Sequence, residues 1–170
     1  MAEIRQDSFD AFVRAHTTAL LRTAVLLTGS RDVAEELVQD TLAHLYPRWD
    51  RVVAADVPIA YVRRSLANRF VSSRRAPASR NISMWELPDG WDGTDISDAV
   101  ATRREIWQLL GDLPSRQRAA IVLRYFHDLT DEQIADTMGC RAVTVRSLVS
   151  RGVIRMRGGI APGHDRGVAR

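Results

Sequence analysis

The stretch from Thr130 to Arg157 constrains the fold more than any other part of the chain. Thr130 can cap a helix, and Gln133 three positions later completes a reciprocal pair in which each side chain accepts the other residue's backbone N–H. Ile134, Ala135 and Met138 then supply an inward stripe, and the tight turn Gly139-Cys140 ends the helix. A second helix, from about Ala142 to Arg157, sets Val145, Val149, Gly152 and Met156 on one narrow face. Val143, Thr144, Arg146, Ser147, Ser150 and Arg151 fill the arc opposite. A helix, a glycine turn and an arginine-bearing helix form the helix-turn-helix pattern, whose second helix enters the major groove of DNA. An ordinary helical hairpin with a solvated basic face is the plain alternative.

A chain of 170 residues, 45% hydrophobic and 26% charged, can bury one medium core or two small ones. No apolar run reaches the roughly 18 residues that cross a bilayer, and the N-terminus has no signal-type apolar region. The expectation is a cytoplasmic protein without membrane insertion. Cys140 is the sole cysteine, which excludes an internal disulfide and leaves it as packing filler in the turn. His16, His44, His127 and His164 lack metal-ligand spacing, there is no glycine-rich phosphate loop, and no nucleophile has a visible base. Neither an enzyme nor a cofactor site is expected. A nuclease would need acids clustered within its basic stretches, and the acids lie elsewhere.

Charge is unevenly spread. All 24 basic residues are arginine, a permanently charged fork of donors suited to phosphate. Tyr61 to Arg80 holds six arginines and no acid, and Arg141 to Arg170 holds seven arginines and one aspartate, so each carries +6. Between them Ala76 to Val100 has Glu86, Asp89, Asp92, Asp95 and Asp98 against Arg80, a local charge of −4. Pro77, Pro88, Gly90 and Gly93 mark the same segment as an extended linker, in which Trp85 and Trp91 suggest docking on a neighbouring domain or on a partner.

The N-terminal part is all helical by its periodicity. Phe9, Phe12, Val13, His16 and Leu20 recur at helical steps, and Gly29 breaks the pattern after Leu27. Ser30 is placed to cap the next helix, about Arg31 to Tyr46, whose Val33, Ala34, Leu37, Val38, Thr41 and Leu45 face one way. Asp32, Glu35, Glu36, Gln39 and Asp40 gather on its other side, past the reach of the helix dipole. Asp56 and Pro58 then open a helix with Ile59, Val62, Leu66 and Phe70 inward. Its outward stripe of Tyr61, Arg64, Ser65, Asn68, Ser72 and Arg75 combines a ring, an amide and arginines, as single-strand binding surfaces do. A merely solvated face is the alternative for each stripe.

Three runs now bear on one family: Arg31-Asp32-Val33-Ala34-Glu35-Glu36-Leu37-Val38-Gln39-Asp40, Tyr61-Val62-Arg63-Arg64-Ser65-Leu66-Ala67-Asn68-Arg69-Phe70, and Leu113-Pro114-Ser115-Arg116-Gln117-Arg118 through Arg151. In order and spacing they resemble a bacterial sigma-70 family factor of the small extracytoplasmic-function type, close to the actinobacterial SigE-like group. The resemblance implies an all-α protein: a region 2 domain over 1–76, an acidic linker over 77–102, a region 4 helix-turn-helix domain over 103–160, and a tail over 161–170. It implies a transcription initiation factor whose partners are core RNA polymerase, through its clamp and flap, promoter DNA, and an anti-sigma factor. By the same resemblance Asp32, Glu35, Glu36, Gln39 and Asp40 dock on the polymerase, while Tyr61, Arg64, Asn68 and Arg75 hold the melted minus-ten strand. Thr144, Arg146, Ser147, Ser150 and Arg151 would read the minus-thirty-five element. Two positions depart from the pattern: Arg141 stands where relatives often start the reading helix with serine or proline, and Leu148 where a long polar reader is common. A self-sufficient helix-turn-helix regulator, acting without polymerase, is the rival reading.

Overall fold

The computed structural model describes residues 2–73 and 100–159, in which every regular element is a helix. The expected tail, the two linker tryptophans and Arg75 lie outside the described residues. Helix α1 runs Ala2–Thr28, α2 Arg31–Leu45, a single 3-10 turn Tyr46–Arg48, α3 Trp49–Val53 and α4 Pro58–Ser73. The second group comprises α5 Val100–Gly111, α6 Ser115–Tyr125, α7 Asp131–Met138 and α8 Ala142–Gly159. Helix α5 thus takes up the last three positions assigned to the linker. None of the helices of the described residues is long and apolar enough to cross a membrane.

Local chemistry explains most boundaries. Gly29 adopts φ +76°, the left-handed turn that glycine accepts without strain, and its N–H closes onto the Val25 carbonyl at 2.8 Å. Ser30 does occupy the cap position of α2, yet its hydroxyl makes no cap bond. The Thr28 hydroxyl instead donates to the Ser30 carbonyl at 2.9 Å. At α7 the capping pair forms as expected, Gln133 N–H to Thr130 Oγ1 at 3.3 Å and Thr130 N–H to Gln133 Oε1 at 3.0 Å. Gly139 at φ +60° ends that helix, with the Cys140 N–H returning to the Ala135 carbonyl.

Each lobe buries its apolar stripes. Leu20, Ala24 and Leu27 of α1 meet Ala34, Val38 and Leu45 of α2 and Val62, Leu66 and Phe70 of α4. Trp49 closes this core, its ring edge-on to Phe9 and Phe12 at 5.0 Å and its indole N–H donating to Ser8. In the second lobe α6 buries Ala119 through Leu123 beneath α8. Gly152 is the point of close approach there, since a Cβ would stand 3.1 Å from Ile121 Cγ1.

The lobes do not stand apart. Helices α1 and α4 pack on α6, and α4 packs on α7, so that one apolar core runs through both groups. Arg118 is buried at this seam and donates to four carbonyls: Nε to Leu110 (2.8 Å), Nη1 to Leu27 (2.9 Å), and Nη2 to Gly111 (2.8 Å) and Leu113 (3.0 Å). Carbonyls in the last turn of a helix lack intrahelical donors and carry the negative end of its dipole. One guanidinium therefore satisfies the C-terminal ends of α1 and α5 together, which ties the lobes to each other.

Candidate functional site

Helix α8 separates its faces cleanly. Val145 and Gly152 are buried, and Val149 and Met156 are half-buried against the core, while Thr144, Arg146, Ser147, Ser150 and Arg151 are all exposed. Val143 shares the outward arc at 56% exposure, an apolar surface beside the hydroxyls and arginines. Leu148, which departs from the family pattern, is half-buried and packs on the core. At the start of α8 the Arg141 carbonyl accepts the Thr144 and Val145 N–H groups.

A carboxylate also meets this arc. Asp131, the first residue of α7, binds the Arg124 guanidinium through Oδ1, and its Oδ2 lies 3.9 Å from Arg146 Nη1. Its neighbour Glu132 is held below the ordinary carboxylate range, chiefly by its own backbone N–H, then by the Thr130 hydroxyl and the charges of Arg146 and Arg124. Acids at the start of α7 thus face arginines from α6 and α8. The spacing of seven residues between Arg124 and Asp131 crosses a turn, so no helical periodicity advertises the pair.

The outward stripe of α4 is also assembled as expected, with Arg75 outside the described residues. Tyr61, Asn68 and Ser72 are exposed, and Arg64 and Ser65 half-buried. The Ser72 hydroxyl donates to Asn68 Oδ1 at 3.1 Å, which turns the amide and leaves its N–H donors available to a base or phosphate. On α2, Asp32, Glu36, Gln39 and Asp40 are exposed, and Glu35 is half-buried and paired with Arg31 at 3.0 Å. Glu36 and Asp40 line a groove of about 490 Å³ with Val33, Leu37, Arg69, Ser72 and Ser73. Asp32, Glu35 and Gln39 lie outside that lining, so the five expected docking residues divide between groove and rim. Arg69 stands 3.6 Å from Asp40 across the groove.

Between these faces the seam adds a titratable contact. His127 Nε2 lies 3.1 Å from Thr23 Oγ1, and the same hydroxyl lies 3.1 Å from the Ala19 carbonyl. Burial lowers the His127 pKa to about 4, and the Arg63 charge pushes the same way against the weaker pull of Asp128. Arg63 is itself partly desolvated, which lowers its pKa.

Residues 103–156 match the family described as Sigma-70, region 4. The chain is 32% identical over 149 residues to the RNA polymerase sigma-E factor of Streptomyces avermitilis, covering 88% of this chain and 83% of that protein. The Streptomyces coelicolor sigma-E factor is 31% identical over 149 residues, covering 88% and 84%. Among solved structures, the sigma factor RpoE of Bartonella quintana, in complex with the anti-sigma factor NepR, superposes with a TM-score of 0.67 at 25% identity, covering 89% of this chain and 96% of that one. With a capped helix-turn-helix at its end and likeness over most of its length, the chain belongs to the sigma-70 family of RNA polymerase sigma factors, within the extracytoplasmic-function type and its SigE-like group.

Proposed function

We propose that this chain directs core RNA polymerase to promoters by holding two DNA elements at once, and that it does so by binding alone, without covalent chemistry. The observation that carries this is the divided helix α8, where a buried anchor fixes an exposed arc of hydroxyls and arginines. Arg146 can fork onto a guanine edge of the minus-thirty-five element, and Thr144, Ser147, Ser150 and Arg151 add phosphate and base contacts. Tyr61, Arg64, Asn68 and Arg75 hold the melted minus-ten strand, where capture of an unstacked base drives opening. The groove on α2, with Glu36 and Asp40 over an apolar floor, takes a basic helical partner, the polymerase clamp. Asp32, Glu35 and Gln39 form its rim. Region 2 over 1–76 and region 4 over 103–160 are the two binding units, and the acid-rich segment between them passes through the enzyme toward its flap. An anti-sigma factor would compete for the same faces.

This role requires the lobes to part. Helices α4 and α8 both pack on α7. At about 8–10 Å per packed helix pair, their outward faces lie within roughly 30 Å of each other. Elements named for positions ten and thirty-five are separated by about 85 Å of duplex, at roughly 3.4 Å per base pair. The connecting chain between Ser73 and Val100 can reach at most about 97 Å, at roughly 3.6 Å per residue. Polymerase binding would break the Arg118–Leu27 and His127–Thr23 contacts and hold the lobes apart.

The test is reversal of Glu36 and Asp40 to arginine, read by pull-down with core polymerase and by promoter-dependent transcription. Association should be lost while circular dichroism retains the helical signal. Retained association, or specific promoter binding by the chain alone that polymerase leaves unchanged, would sink the proposal.

A further inference from the structure

Asp131 has a position that its place in the capped helix does not require. It opens α7, where any acid would favour the helix dipole. Yet its side chain is only 16% exposed, and its two oxygens are divided between Arg124 at the end of α6 and Arg146 on the outward arc of α8. The carboxylate therefore links α6 and α8 to the start of α7.

Arg146 itself is 63% exposed, and an exposed arginine samples many rotamers that base reading must freeze. A carboxylate beside Nη1 narrows that set before DNA arrives, and it leaves Nε and Nη2 of the fork for an acceptor pair. The same negative charge lies close to where phosphates would approach, and it opposes binding that lacks a matching base. We propose that Asp131 is a positioning and specificity-determining residue: it orients Arg146 toward the base edge and disfavours non-cognate duplexes. The inference rests on the reading of α8 as the minus-thirty-five helix.

The two effects have opposite signs in an experiment, which separates them from a loss of folding. Random duplexes would be enriched against holoenzyme assembled with the full chain, its Asp131→Asn, Asp131→Glu and Arg146→Ala variants, and the Asp131→Asn/Arg146→Ala double variant. Arg146→Ala identifies the base position at issue by flattening preference there. Asp131→Asn should reduce the preference at that same position by about fivefold, within the range of a coupled contact pair, and leave affinity for unselected duplex equal or higher. Asp131→Glu should recover part of the preference, and the double variant should match Arg146→Ala. Unchanged preference in Asp131→Asn would overturn the proposal, and so would an equal loss of affinity for every duplex, which marks a purely structural role. Should Arg146→Ala flatten no position, the underlying assignment of α8 falls, and this one with it.

Discussion

Arg118 and Arg146 lie on helices that pack against each other, but their surroundings are opposite. Arg118 is buried and donates to four backbone carbonyls, whereas Arg146 is largely solvated and meets a carboxylate at 3.9 Å. A charge shut away from water is tolerated only when its donors are matched, so Arg118 is committed to the architecture. An exposed guanidinium with donors to spare can exchange water for a base or phosphate at little loss. The difference teaches that arginine in this chain, whose basic residues are all arginine, is not one structural class, and that charge counting locates a basic lobe without telling a buried clasp from a solvated side chain.

The contrast can be broken first at the clasp. Replacing Arg118 with methionine keeps volume but strands the C-terminal carbonyls of α1 and α5, and should lower stability by about 3 kcal/mol or more in urea unfolding. Arg146→Ala should move the same curve by less than about 0.5 kcal/mol. Equal shifts for the two would erase the distinction.

A second effect, of intermediate size, is set by pH. His127 has a pKa of about 4 in the docked chain against an ordinary value of 6.5. Above the ordinary value both docked and exposed imidazole are neutral, so docking keeps its full strength. As pH falls from about 6.5 toward 4 the exposed form takes up a proton that the docked form refuses, and docking weakens until it levels off below that range. Scattering should register an expanding chain across this window. A His127→Gln variant should lack that component, and an identical response in the variant would remove His127 from the account.

The smallest effect belongs to the α4 face. Asn68→Ala should leave unfolding unchanged and reduce strand opening, seen by permanganate reactivity, by about 1 kcal/mol, roughly fivefold. Closed-complex formation should be spared. If both steps fall together, Asn68 acts on duplex binding instead.

What the sequence made legible follows from the range of each interaction. The capping pair of Thr130 and Gln133, the left-handed Gly139 and the buried stripe of α8 are local, and each left a pattern within one or two turns. Ser30 misled because the cap position and the cap bond are separable: Thr28 supplies the hydroxyl that organises that turn. The seam was illegible. Arg118 reaches a carbonyl 91 positions away, and a backbone acceptor leaves no residue type to recognise. Thr23 and His127 are likewise 104 positions apart, and their pairing looks like neither a metal site nor a catalytic pair. Asp131 escaped notice because it also satisfies a helix-start rule, so its second contact was hidden behind the first. The candidate docking and DNA faces lay in between: periodicity gathered their residues and left Leu148 out of the outward set, and the packing shows Leu148 half-buried against the core.

Gly152 carries a last consequence. Because α8 is seated from behind at Gly152, where an added Cβ would stand 3.1 Å from the Ile121 side chain, its solvent-side residues are set apart from its seat. Exchanging the solvent-side residues for those of another sigma factor should then leave the folding energy nearly constant, and under the proposed role it would change the DNA sequence preferred. A single methyl group at the seat would press on the Ile121 side chain, which must give by a few tenths of an ångström for the outward face to keep its place.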